Sequence, residues 1–408
     1  MSIDRSRHPA AEELNRLTGH EHIVFLGVYN ADPFRSKIET WLLELDLSGT
    51  ALVVADNCST DESVDWLRTL LAKLGAPNIL IENTNNYGGY GNLAMNLDLF
   101  ADATWVTTLH QDDRYSHDHV QRHRAIASAS GSNLGMICSE ARSITPEGNP
   151  LSYPRAHWLL EDSRDPVTVF LAHLKNHAYP FSGATFAQEV FRSFPIPWHS
   201  TAFPDTEIVM KMIVDFDVEF APGVTVEYLE NPDSESHSLD QKHRDFGSFL
   251  ALIRVFAHPN YKRLCDLVPV ELIPNFAKAL SAGISQRFED PDLMNLLNQA
   301  VLEITTQHFG TTPDLAQALL RGYVRIGDAR AAEVLTVLGA HPDILESEAT
   351  TATAAPSQSA PVRTKSRRIP AVANLIPRPI MKFVFKKFMA TRLGKRMFQA
   401  WDFDWDRK

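Results

Sequence analysis

Three short runs place polar residues where chemistry is possible. TLHQDDRY, residues 108–115, closes an apolar stretch on two adjacent carboxylates, Asp112 and Asp113, just after His110 and Gln111. Like charges held side by side repel, and a divalent cation between them and a phosphate relieves the repulsion. A solvated acidic turn is the other reading of the same pair. VVADNCSTDES, residues 53–63, sets Asp56 and Asn57 at the mouth of a strand and then enters a helix, where Ser59, Thr60 or Asp61 also fits a simple capping role. NNYGGYGN, residues 85–92, carries three glycines in four positions, so backbone can approach a ligand with no Cβ in the way. It has neither the GxxxxGK[ST] nor the GxGxxG order, which argues against an ATP or dinucleotide site.

The elements that must position these runs alternate. Residues 22–29 (HIVFLGVY), 50–55, 78–82 and 104–109 read as buried strands, and residues 34–45, 61–74 and 92–100 as helices between them. That order predicts an α/β fold with a mostly parallel sheet flanked by helices, and in such sheets ligands sit beyond the carboxyl ends of the strands. Asn30, Asp56-Asn57, Asn85-Asn86 and the 110–113 run all follow strands, so four polar clusters converge on one edge. Residues 130–240 mix short strands, such as 135–138 and 224–228, with Pro-rich loops. The pattern from about 239 to 341 is helical, including 246–256, 293–304 and 313–320.

Composition bounds the rest. The 408 residues, 44% hydrophobic, suggest roughly two to three domains, and 3 Cys (Cys58, Cys138, Cys265) form no CxxC knuckle and fit a reducing compartment. The opening MSIDRSRHPAAEELNR has no apolar signal core, and no run spans a bilayer, which predicts a cytoplasmic chain. The net charge of -11 is split: residues 346–408 hold 13 Lys+Arg and 5 Asp+Glu, while residues 1–345 hold 26 and 45. The acidic body repels a nucleic-acid backbone, so no nucleic-acid partner is expected. Residues 346–362 read as a flexible Ala/Thr/Ser/Pro linker, and 363–408 as a basic amphipathic tail suited to an anionic membrane surface, with a partner-binding or disordered end as the alternative. The closing WDFDWDRK receives no role.

The runs in their order resemble the family 2 glycosyltransferases of the GT-A (Rossmann-like) fold over about residues 22–240. Asn30 resembles the end of that family's first strand, Asp56 to Asp61 its D-[DN]-G-S-T-D block, Asn86-Tyr87-Gly88-Gly89 its N-x-G turn, and His110-Gln111-Asp112-Asp113 its D-x-D-D metal motif. Cys58 stands for the usual glycine and His110 for the first aspartate, which leaves Asp112 and Asp113 as the metal carboxylates and His110 as a third candidate. The segment FPDTEIVMK, 203–211, resembles the family's acceptor-side stretch, with Pro204 for its Glu, Lys211 for its Arg and Asp205 as the base. The alternative for Asp205 is a residue favoured at a helix N-terminus. YLENPDSES, 228–236, is similar to a segment in which a His reaches the metal or diphosphate; Asn231 stands there, and no role is assigned to it. The glycine-rich turn has some likeness to rhamnosyl- and galactofuranosyltransferases.

The resemblance implies an inverting, hexosyl-type glycosyltransferase that uses a nucleotide-sugar donor, a divalent metal (Mg2+ or Mn2+) and a glycan or lipid-linked acceptor. Polysaccharide or glycolipid synthesis at the inner face of the cell membrane is the implied setting. The implied donor contacts are Asn30, Asp56, Asn57, Asn86, Gly88, Gly89, Gln111 and Asp112. The implied division is 1–240 for the transferase domain, 241–345 for a helical region, then linker and tail. A catalytically degenerate scaffold that binds sugar nucleotide or glycan is the second reading, and a nucleotidyltransferase is disfavoured because VYNADPF lacks a Gly- and Lys/Arg-rich loop. Two further features read modestly. His117, His119 and His123 read as a solvated helix face, and Ser182 as a residue that lines the acceptor groove with no His-Asp partner to make it a nucleophile.

Overall fold

The structure, a computed structural model, describes residues 14–146, 148–155, 165–176, 179–196, 203–230, 241–285 and 294. The chain divides into two compact units, Met1–Tyr323 and Val324–Lys408, and every described residue lies in the first. The expected helices beyond 285, the linker, the basic tail and Asn231 lie outside the described residues.

The first half alternates as its apolar runs require. Strand β1 (His22–Val28) leads to helix α1 (Arg35–Glu44), β2 (Ala51–Asp56) to α2 (Ser63–Leu71), β3 (Asn78–Glu82) to α3 (Gly88–Asn96), and then comes β4 (Trp105–His110). Every residue of β2 is buried, as a parallel strand covered on both faces must be. The covers follow the helical period: Ile38, Trp41 and Leu42 of α1, and Trp66, Leu67, Leu70 and Leu71 of α2, face the sheet. Each such side chain contributes about 1.5–3 kcal/mol on full burial.

After β4 the chain runs through β5 (Arg114–Tyr115), α4 (His119–Ala129), β6 (Leu134–Ile144), β7 (Pro150–Arg155), α5 (Pro166–Asn176), β8 (Thr185–Ala187), α6 (Gln188–Ser193), α7 (Pro204–Met212) and β9 (Asp217–Leu229). The strands form a nine-stranded sheet in the order β3-β2-β1-β4-β8-β6-β9-β5, with β7 paired to β6. The β3-β2-β1-β4 part is parallel, and β6 and β9 run the same way; only the short β5, β7 and β8 oppose them. The expected α/β sheet, mostly parallel and flanked by helices, is therefore present, with antiparallel strands worked into its second half.

Three helices close the described chain: α8 (Gln241–Ala257), α9 (Pro259–Asp266) and α10 (Ile273–Ser285). They pack on α5 and α7. Tyr261 meets Phe256 at 4.8 Å and Phe170 at 5.9 Å between ring centroids, and a Cβ on Gly283 would lie 2.9 Å from Leu174, so α10 and α5 are in close contact. Among the described residues no single helix is long and apolar enough to cross a membrane.

Candidate active site

The carboxyl ends of β1, β2, β3 and β4 meet as expected, and most of the amides found there are spent on one another. Asn30, at φ 45°, accepts from the Thr60 N–H at 2.9 Å and donates its own N–H to Ser59 Oγ at 2.8 Å. Gln111 clamps the Tyr29 backbone from both sides, accepting from its N–H at 2.8 Å and donating to its carbonyl at 3.0 Å. Of the three capping candidates, Asp61 is the one that receives the first N–H of α2, from Ser63, at 3.0 Å.

Asn57 is buried and fully used. Its Nδ2 donates to Asn86 Oδ1 at 2.8 Å and to the Gly88 carbonyl at 3.1 Å, while its Oδ1 accepts from the Tyr87 N–H at 3.0 Å. Below it, Asn83 donates to Asn92 Oδ1 at 2.8 Å, and Asn92 donates to the Ala55 carbonyl at 2.7 Å. These bonds pin the glycine-rich segment to the end of β2. The segment is no separate turn: α3 already begins at Gly88, whose φ of 73° makes the bend that a side chain would oppose. Cys58, in the place of a family glycine, also sits at positive φ, 68°, and carries the strain of a non-glycine residue there.

Asp56 differs from its neighbours. It is 2% exposed; Oδ2 accepts from the Ser59 N–H at 3.0 Å, whereas buried Oδ1 has no hydrogen-bond partner among the described residues. Burial pushes this carboxyl above its ordinary range, against the opposing pull of the Ser59 bonds.

The end of β4 is held by a directed chain. The His110 N–H donates to the Tyr115 hydroxyl at 2.8 Å, Tyr115 lies 2.8 Å from Ser182 Oγ, and Ser182 donates to Asp113 Oδ2. Asp113 Oδ1 accepts from the Leu229 N–H at 3.0 Å. Asp113 thus ties β9 and the 181–184 turn to the end of β4, and Ser182, expected on the acceptor groove, is buried beneath it. The turn leaves no spare room: a Cβ on Gly183, at φ 74°, would lie 2.7 Å from Val226.

His110, Asp112 and Asp113 each offer one ligand atom, all within 4.8 Å of one another. That spacing and the donor set suit a divalent ion. Burial lowers the His110 pKa, while the charges of Asp112 and then Asp205 pull it back up. Asp205, the second residue of α7, therefore comes within electrostatic reach of the β4 end. Lys211, expected in the place of the family's Arg, instead pairs with buried Glu207, which also lies 3.6 Å from Arg254 of α8. Sequence reading gave Glu207, Tyr115 and Asn92 no role. Tyr115 sits inside the quoted 108–115 run, and Glu207 lies two residues past Asp205, so proximity to the motifs was the available signal.

One expectation is corrected. His119 and His123 are not on a solvated helix face; both are 0% exposed, and of the three only His117 faces outward. His119 reaches Thr225 Oγ1 at 2.8 Å and the Gly183 carbonyl at 2.9 Å, and His123 reaches Thr185 Oγ1 and Ser139 Oγ, each at 2.7 Å. Thr185 continues through Thr107 to buried His22, both steps at 2.6 Å. Strands β6, β8 and β9 supply the hydroxyls, and the 181–184 turn the carbonyl, that make the polar-looking face of α4 an interior one.

No curated protein matches the chain. Among solved structures, it is similar to S. aureus TarS 1-349 in complex with UDP (16% identity, 76% of this chain and 92% of that one, TM-score 0.42). It is also similar to the mannosyltransferase PcManGT from Pyrobaculum calidifontis in complex with GDP-Man and Mn2+ (17%, 81% and 84%, TM-score 0.43). A third is glucosyl-3-phosphoglycerate synthase from Mycobacterium tuberculosis (14%, 65% and 86%, TM-score 0.37). Residues 29–192, which hold Asn30, the Asp56 loop, the pinned glycine segment and the 110–113 run, match the family model for glycosyl transferase family 2. The α/β unit to which these residues belong is thus similar to the family 2 glycosyl transferases over residues 29–192.

Proposed function

We propose that this domain transfers a hexosyl group from a nucleotide-diphosphate donor to an acceptor hydroxyl with inversion at the anomeric carbon. The observation that carries the reading is the gathering of His110, Asp112 and Asp113, with ligand atoms within 4.8 Å of one another, at the end of β4, where Asp205 acts on His110 through its charge. Asp205 takes the acceptor's hydroxyl proton on its carboxylate, the acceptor oxygen forms the new bond to the anomeric carbon, and the bond from that carbon to the diphosphate oxygen breaks. His110 and Asp112 would hold a divalent ion at the β4 end, and that ion, when bound, would supply Lewis-acid charge to offset the negative charge on the leaving diphosphate.

Asp56 is read as the contact to the donor's base, because a buried carboxylate oxygen with no described partner suits a base N–H. Asp112 contacts the diphosphate side. Asn30, Asn57, Asn86 and Gln111 act at one remove by holding the loops, and Gly88 and Gly89 leave the donor room. Residues 1–240 are read as the transferase domain, 241–345 as a helical region, 346–362 as a linker and 363–408 as a basic segment that docks on anionic lipid. In this reading the enzyme works in the cytoplasm, peripheral on the inner membrane face, on a glycan or lipid-linked acceptor for cell-surface polysaccharide or glycolipid synthesis.

The test is Asp205→Asn. General-base assistance is worth about 10² to 10⁴ in rate, so the variant is expected to lose at least a hundredfold in turnover while its donor affinity stays at the wild-type value. Wild-type turnover in the variant would remove Asp205 as the base. Donor binding without turnover in the wild-type chain, across a range of hydroxyl acceptors, would favour the binding-scaffold reading.

A further inference from the structure

Four histidines lie in or against the sheet, and three of them spend their rings on protein groups. His119 and His123 each bond through both nitrogens, and His22 bonds through Nε2. His110 differs: among the described residues, no group hydrogen-bonds to either of its ring nitrogens, although its backbone N–H is fixed by Tyr115. The carboxylate of Asp112 likewise has no hydrogen-bond partner among the described residues; only the backbone carbonyl of this residue is engaged, accepting from Lys37 Nζ at 3.3 Å. Asp113 is the opposite case, with Oδ1 taken by the Leu229 N–H and Oδ2 by Ser182. Of the three potential ligands, the two with uncommitted donor atoms are thus one imidazole and one carboxylate.

We propose that His110 is a direct metal ligand, that Asp112 is its carboxylate partner with Asp113 as the anchor of the loop, and that this nitrogen–oxygen site favours Mn2+ or Co2+ over Mg2+. The inference rests on the reading of the β4 end as a metal site and deepens it by naming the class of ion. The chemistry follows from ligand type. Mg2+ is a hard ion that takes oxygen ligands in near-ideal octahedral geometry, whereas imidazole suits first-row transition ions. A carboxylate at position 110 would restore an oxygen ligand and one negative charge, and with them the affinity for Mg2+. The chain from the His110 N–H through Tyr115 and Ser182 to Asp113 sets the backbone from which the imidazole projects, so the ring's availability is built into the fold.

The test uses the full chain and the metal ions alone, so it needs no acceptor and no turnover. Mg2+, Mn2+ and Co2+ are titrated calorimetrically into wild type, His110→Asp and Asp112→Ala, with circular dichroism to confirm the fold, and the nitrogen hyperfine coupling of bound Mn2+ is recorded by electron spin echo spectroscopy. The expected result is a nitrogen coupling in wild type that is absent in His110→Asp, together with a fall of about tenfold or more in the Mn2+ preference over Mg2+ in that variant, as the exchange of an imidazole for a carboxylate implies. Mn2+ bound in an Asp112-dependent manner, with no nitrogen coupling and an unchanged ion preference in His110→Asp, would overturn this inference while the metal site itself stands. No Asp112-dependent binding of any ion would overturn both.

Discussion

The loops after β2 and β3 and the end of β4 lie on the same sheet edge but use their polar groups in opposite ways. The first region is closed: Asn57, Asn83, Asn86 and Asn92 satisfy one another and the backbone they hold. The second is open, because His110 and Asp112 have side chains uncommitted to described partners and stand within the electrostatic reach of Asp205. A buried amide network fixes geometry because leaving any member unsatisfied is costly. Open donors are available to a ligand because nothing in the protein competes for them. The difference teaches that membership of a motif does not give a residue the motif's chemistry: Asn57 and Asn86 lie in family blocks and act as braces, and Asp113 closes the metal run and is itself an anchor.

The largest effect expected from the open side is the loss of turnover in Asp205→Asn, at unchanged donor affinity and unchanged melting temperature. Behind both regions, in the interior between α4 and the sheet, the largest lever is acid. With burial as the largest cause at each, His22 is lowered to about 3, His119 to about 4 and His123 well below its ordinary value. Arg124 adds to the lowering at His22, and at His119 the bond to the Gly183 carbonyl and then Asp118 oppose burial while Arg122 adds to it. The folded-state pKa values lie below the unfolded value near 6.5, so the unfolded chain binds more protons and stability rises with pH through this window. The contribution is neutral above pH 6.5 and turns unfavourable as pH falls towards 4, at up to about 1.4 kcal/mol per unit for each histidine. Urea unfolding at pH 7, 6, 5 and 4.5 is expected to show a steepening loss, which His123→Gln or His22→Gln should reduce. A flat profile would show that these rings are protonated in the folded state.

A smaller effect separates the two regions directly. Asn92→Leu keeps the volume of the site but leaves the Ala55 carbonyl and the Asn83 amide without their partner, at a cost of about 2 kcal/mol in the urea midpoint analysis. It is expected to weaken donor binding through the α3 segment while Mn2+ affinity stays at the wild-type level. Equal loss of both would show that the two regions are one network rather than a brace beside a site.

Much of the fold was legible because β1 to β4 are continuous apolar runs separated by helices of ordinary length. Their bounds fall within a residue or two of those expected, as with residues 50–55 against Ala51–Asp56. The antiparallel strands were not legible, since β5 has two residues and β8 three, too few for a period to show. The start of α3 was missed because Gly88-Gly89-Tyr90-Gly91 has the composition of a turn, and what makes it helical is the amide of Asn57, thirty residues earlier in the chain, accepting from Tyr87. The buried faces of His119 and His123 were hidden for the same kind of reason: HDHVQRHR reads as polar, and the groups that receive the two imidazoles come from Ser139, Gly183, Thr185 and Thr225. Residue types and spacing therefore brought these polar runs to one sheet edge, while their division into braces and open donors depended on partners far away in sequence.

The most direct test of that division is a calorimetric titration of the full chain with UDP-, GDP- and dTDP-sugars, each with and without Mn2+, repeated with Asp112→Ala. The account predicts that one donor class binds, that Mn2+ tightens its binding, and that Asp112→Ala removes the Mn2+ effect while a weaker, metal-independent affinity remains. Absence of binding by every donor to the folded chain, or binding that neither Mn2+ nor Asp112→Ala alters, would contradict it.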